Sequence, residues 1–284
     1  MASTKLKQRK PLSYKGYLML DDLLTLQAPV SRPEQHDEML FVVSHQTYEL
    51  WFKQMLRELD AALVAMLSDE PREAARLIRR VVTIVKVLTQ QLEVLETIRP
   101  TDFLKFRNAL RPASGFQSTQ FREIEFLSGH KDARFLELHK EDQRARAQLE
   151  RRFRAESLWD AFRSVLAKRR LLKVRAAVSK DEGRLLRGEV GAIVRVYSSS
   201  AYSDVAELAE ALLEYDKHFW LWRNHHMGMV ERIVGRKVGT GSDVIAETIG
   251  PYYFDTAGVA YLKTTLRRRF FPALWAARTK FKET

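Results

Sequence analysis

The sequence predicts an all-α fold, and three observations predict it. Apolar residues recur at steps of three and four along most of the 284 residues, the spacing that gathers side chains on one face of a helix. No convincing period-two alternation accompanies them, which argues against a sheet. The glycines between 235 and 241 follow no strand pattern, so they do not read as a nucleotide-binding turn.

The elements follow in order. From 34 to 67, Tyr48, Phe52, Met55, Leu59, Leu63 and Met66 form the apolar stripe of one long helix. Ser68 is placed to cap a second helix with Pro71 in its first turn, antiparallel to the first. Ile78, Val81, Val85, Leu88, Leu92 and Leu95 carry it on until Arg99 and Pro100. A short helical piece at about 101–110 leads into Arg111-Pro112-Ala113-Ser114-Gly115, a turn of small and polar residues that is a candidate site loop. Another helix is expected from about Thr119. The stretch 131–175 is charged and helical, with Leu158, Trp159, Phe162, Val165 and Leu166 as its apolar face, whereas 178–191 reads as less regular. A last long helix spans about 203–234, followed by a glycine-containing stretch and a terminal helix through Leu262, Leu266 and Phe270.

Composition removes several function classes. With 45% hydrophobic residues the chain can bury a sizeable core. No run approaches the roughly 18 apolar residues of a membrane span. The polar, basic start from Met1 to Lys10 has no apolar signal region behind it, so a cytoplasmic location is expected. The absence of cysteine excludes disulfides, thiolate-bound metal and a cysteine nucleophile. A net charge of +12 invites a nucleic-acid partner. However, the basic residues collect at 144–173, 267–269 and the first ten positions without zinc-finger spacing or an RNA-recognition aromatic motif. They read as solvated helix faces.

Two histidines carry the chemistry. Phe41, His45, Tyr48 and Phe52 fall at i, i+4, i+7 and i+11, which sets one imidazole in an aromatic face away from water. Leu212, Tyr215, Phe219, Trp222, His226, Met229 and Ile233 form an uninterrupted stripe that includes His226 and leaves out His225. Imidazole is the commonest protein ligand for a metal or heme iron near neutral pH, and two such groups could bracket one flat cofactor. The same spacing suits core histidines bonded to carbonyls, and it leaves both readings open. Glu49, four residues after His45, could pair with it, while His36-Asp37-Glu38 reads as a polar helix start because adjacent helical residues diverge.

The run His36-Asp37-Glu38-Met39-Leu40-Phe41 and then His45-Gln46-Thr47-Tyr48-Glu49-Leu50-Trp51-Phe52-Lys53-Gln54 resembles the tryptophan 2,3-dioxygenase family. So do Arg111-Pro112 with Ser114-Gly115-Phe116-Gln117-Ser118, Gln120-Phe121-Arg122, Leu221-Trp222-Arg223 with His226-Met227, and Gly239-Thr240-Gly241. Tyr17-Leu18 near the start and Phe270-Phe271-Pro272 with Leu274-Trp275 near the end match as well, in the family's order. The resemblance covers most of the chain outside its middle. It implies a single all-helical heme-binding domain over 1–284, with an N-terminal arm at 1–30 and a variable helical middle at 131–200. It also implies a homotetramer that uses heme b and O2 to open the indole ring of L-tryptophan, giving N-formylkynurenine.

By the same resemblance His226 is the proximal iron ligand, and His45 contacts the indole N–H rather than the metal. Arg122 would hold the substrate carboxylate, a role suited to a planar bidentate donor. Phe41 would wall the indole pocket, and Thr240 would lie near the substrate ammonium. Tyr14, Tyr17 and Leu18 match a segment that reaches a neighbouring subunit's pocket. The chain departs from the family pattern at 242–257, where a longer loop, including Ile249-Gly250-Pro251-Tyr252-Tyr253-Phe254, precedes Gly258-Val259-Ala260-Tyr261-Leu262. Lys15 also stands where the family tends to have glycine. These changes keep a second expectation open, an enzyme of specialised metabolism that oxygenates a substituted tryptophan or indole with one or two oxygen atoms. A heme or nucleic-acid binding protein without activity is the third.

Overall fold

A computed structural model describes residues 11–172, 182–235, 237, 266 and 268–281. Among them every regular element is a helix. Helix α1, His36–Leu67, and α2, Pro71–Leu95, form the expected hairpin. Ser68, however, closes α1 rather than opening α2, whose N-cap is Glu70. The reason is Asp69, which takes a left-handed φ of 61° and turns the chain so that Glu70 N–H donates back to Ala65 O at 2.8 Å, a wrapped helix end. Pro71 then starts α2, where its missing N–H costs nothing.

Helix α3, Pro100–Arg107, runs into a 3-10 turn at Asn108–Leu110. Ser114 caps a second turn, Gly115–Gln117, and Ser118 caps α4, Thr119–Leu127. The charged middle forms α5, Gln143–Arg154, and α6, Leu158–Lys168. The five apolar positions predicted for α6 face inward, Leu158, Phe162, Val165 and Leu166 without exposure and Trp159 packed against the same core. Of the stretch 178–191, expected to be less regular, residues 178–181 lie outside the described residues and the remainder belongs to a helix, α7, Glu182–Tyr197. Its glycines lower helix propensity, and burial of Ala192, Ile193 and Val196 overrides them.

Helix α8, Ser203–Val234, is the second long pillar. It packs chiefly along α2, which also packs on α1, so α2 lies between the two histidine-bearing helices. Met55, Leu59, Ile78, Leu88, Leu92, Leu212 and Tyr215 form the centre of the shared core. The terminal helix predicted through Leu262, Leu266 and Phe270 falls largely outside the described residues; Leu266 is helical, Phe270 lies in a bend, and a further helix, α9, Pro272–Ala277, follows it. That bend is set by Asp216, whose buried carboxylate accepts from Phe270 N–H (3.1 Å), Phe271 N–H (3.2 Å) and Trp275 Nε1–H (2.8 Å). Among the described residues no helix is long and apolar enough to cross a membrane.

Candidate active site

A cavity of about 330 Å³ opens among α1, α2, α3, α4, α8 and the 108–118 segment, with Phe121, Arg122 and Glu125 of α4 in its lining, and it brings His45 and His226 together. His226 stands in a wall made apolar by Leu92, Leu95, Met229, Val230 and Val234. Burial above all, and then the neighbouring His45, push its pKa down to about 4, so the ring is neutral at physiological pH. The Trp222 ring stacks on it at 5.5 Å and 20°. Trp222 is itself tethered, since its Nε1–H donates to the Tyr48 hydroxyl at 3.4 Å and that hydroxyl donates to Leu88 O at 2.6 Å. Burial pushes the Tyr48 phenol up to about 12, which keeps it a donor.

His45 differs from its prediction in one respect. Its side chain is exposed, not shielded, because the aromatic face of α1 ends at the open mouth of the cavity. Surrounding protein still lowers its pKa, against smaller upward pulls from the Phe41 carbonyl and from Glu49. Nδ1 lies 2.7 Å from Phe41 O. A carbonyl only accepts, so Nδ1 carries the proton and the neutral ring presents Nε2 as an acceptor. Phe41 stands one layer back, its ring 4.0 Å from that of His45 and 5.8 Å from Phe103, which does line the cavity.

Arginines mark two further places. Arg122 is buried on α4, where its Nη1 donates to Glu125 Oε2 and its guanidinium lies 3.9 Å over the Phe135 ring. Arg223 Nη2 donates to the other oxygen of Glu125 at 2.9 Å, so two guanidiniums share one carboxylate. Arg107, at the end of α3, lines the cavity beside Phe103, Ser114 and Gly115. Burial, and then the like charge of Arg111, hold its pKa below the ordinary guanidinium value. Arg107 was missed in the sequence. Its signal was available, because Phe103 and Arg107 are four residues apart and share a helix face just before the loop already singled out.

A family model described as tryptophan 2,3-dioxygenase matches residues 2–155 and 135–281. The chain belongs to the tryptophan 2,3-dioxygenase family. A tryptophan 2,3-dioxygenase of Nocardioides sp. is 41% identical over 281 residues, 96% of each chain. One of Herpetosiphon aurantiacus is 40% identical over 94% of this chain and 97% of its own, and one of Caulobacter vibrioides 40% over 95% and 98%.

Within this tryptophan 2,3-dioxygenase fold, Tyr14, Tyr17 and Leu18 sit apart from the cavity of their own chain and are 77%, 70% and 40% exposed. Thr240 and the loop 242–257 lie outside the described residues. The site's donor set suits a heme. His226 offers a neutral nitrogen that no described residue engages in a hydrogen bond, and the surrounding wall is apolar. Arg122 Nε is a buried donor without a partner, so the wall also holds an unused donor that suits an anionic edge.

Proposed function

We propose that this chain is a heme b-dependent dioxygenase that converts L-tryptophan and O2 to N-formylkynurenine. The observation that carries the reading is the pairing, across one cavity, of a neutral His226 with a His45 whose free Nε2 is an acceptor. In a chain of this family, one imidazole suits the iron and the other suits the substrate. Heme, when bound, supplies the activation of O2. The chain's residues do the rest.

His226 would hold the iron. His45 Nε2 accepts the indole N–H, and the bond from Nδ1 to Phe41 O keeps the ring in the required tautomer and orientation. Phe103 and Phe116 provide aromatic surface for the indole. The sequence reading gave the substrate carboxylate to Arg122. That assignment stands here, because Arg122 lines the cavity and keeps a buried Nε–H without a partner while its Nη1 donates to Glu125, and Arg107 adds a second cation to the wall. Fixing both ends of the substrate holds C2 and C3 of the ring in one place, a gain in orientation. The three expected N-terminal residues fit a neighbouring subunit in a homotetramer, being exposed, largely apolar and not part of their own cavity's lining.

The test is mass spectrometry of the products when hemin-loaded, reduced protein meets L-tryptophan under 18O2. Two labelled atoms in N-formylkynurenine over many turnovers support the reading. A single labelled oxygen, or heme binding without turnover, overturns it and favours a substituted tryptophan or indole.

A further inference from the structure

Glu49 was singled out as a partner for His45, yet its hydrogen bonds run elsewhere. Its Oε1 accepts from the Ser118 hydroxyl at 2.6 Å, and its Oε2 accepts from Gln120 Nε2 at 2.7 Å. Gln120 Nε2 spends its other hydrogen on the Glu49 backbone oxygen at 2.8 Å. One carboxylate on α1 therefore grips the first turn of α4 by two side chains. Ser118 takes part twice, because its Oγ also accepts from Phe121 N–H at 3.2 Å as the cap of that helix.

What the grip holds is the cavity wall. The segment between α3 and α4 carries Ser114, Gly115, Phe116 and Ser118 into the cavity, and Arg107 begins it. Between these ends, the turn at Gly115–Gln117 is closed within itself, Ser114 N–H donating to Gln117 Oε1 at 3.1 Å and Phe116 N–H to Ser114 Oγ at 3.4 Å. Glu49, one helical turn beyond His45, attaches the end of this segment and the start of α4 to α1. Placing the clamp on the same helix as His45 fixes the distance between the wall and the imidazole. Charge-assisted bonds to a carboxylate are about twice as strong as neutral ones, so this fastening is strong for a loop.

We propose that Glu49 is a positioning residue, a clamp that sets the 107–118 wall against His45 and thereby controls tryptophan affinity. The proposal rests on the assignment of tryptophan as substrate. Glu49→Ala removes the grip and is expected to raise KM for L-tryptophan at least about tenfold, with kcat changed less than about threefold and heme uptake unchanged. Hydrogen–deuterium exchange across 107–118 speeds up in the same variant, in the absence of substrate. Glu49→Gln restores most of the affinity, because its carbonyl still accepts from Gln120 and the Ser118 hydroxyl turns to accept from its amide. Gln120→Ala cuts the grip from the other side and gives the same KM rise, and its effect is not additive with Glu49→Ala.

An unchanged KM and exchange rate in Glu49→Ala and Gln120→Ala overturn the clamp. Equal damage in Glu49→Gln and Glu49→Ala also overturns it, since charge and not attachment would then be what matters. Faster exchange in variants of a protein that never turns over tryptophan leaves the clamp standing and instead overturns the substrate assignment.

Discussion

At the scale of single residues, the proposed function divides its work among His226, His45 and Arg122. His226→Ala is expected to abolish stable heme binding, read from the Soret band after hemin titration and desalting. Arg122→Leu removes the charge-assisted contact proposed for the substrate carboxylate and should raise KM for L-tryptophan by about 10- to 100-fold, while Glu125 keeps its bond from Arg223. Steady-state kinetics on the variant check it. His45 sets a pH limit. Its pKa lies below the ordinary 6.5 because the surrounding protein, although it leaves the side chain open to the cavity, desolvates the charged ring, and a protonated Nε2 cannot accept the indole N–H. The acidic limb of kcat/KM against pH is therefore expected below pH 6.5, and the measurement that checks it is the full profile, with the limb lost in His45→Ala.

At the scale of elements, buried carboxylates fasten helices that apolar packing only aligns. Asp216 on α8 fastens the start of α9 by three donated hydrogen bonds. Asp216→Ala leaves those buried donors unsatisfied and should cost about 3 kcal/mol or more, seen as a fall in Tm by differential scanning calorimetry. Such fastenings were not legible beforehand, because an aspartate in an apolar stripe gives no indication of which distant N–H groups it will meet. The α8 stripe itself was legible, and Leu212, Tyr215, Phe219, Trp222, Met229 and Ile233 are all buried as the period required. Helix α7 was not, since its local glycines argue for a loop and only its packing overrides them.

On the scale of the whole molecule, the arm from 11 to 30 is tied to α1 yet leaves its apolar side uncovered. Val30 and Ser31 N–H donate to the buried Glu38 at 2.7 and 3.0 Å, and Gln27 and Gln46 bridge further along. Leu12, Tyr14, Tyr17, Met19, Leu24 and Leu26 all remain more than 60% exposed, an unusual cost for a surface without a partner. Light scattering is expected to return a particle of four times the 33.0 kDa chain. Deleting residues 1–20 should leave heme uptake intact, because the arm is not part of the heme wall, and lower turnover by removing Tyr14, Tyr17 and Leu18 from a neighbour's site.

The sequence by itself determined the all-helical class, the two long helices, their buried faces and the pair of histidines, because a 3.6-residue period is a local property that side chains declare in order. It also carried the family, through blocks dispersed from Tyr17 to Trp275. Only the tertiary structure decided that His45 opens to the cavity rather than to the core, that Arg107 and Arg122 line the same wall with Arg122 also engaged by Glu125, and that Glu49 reaches Ser118 and Gln120. Those outcomes depend on which distant residues share a few ångströms of space. That is set by how α1, α2, α4 and α8 pack on one another, and no spacing along a single helix encodes it.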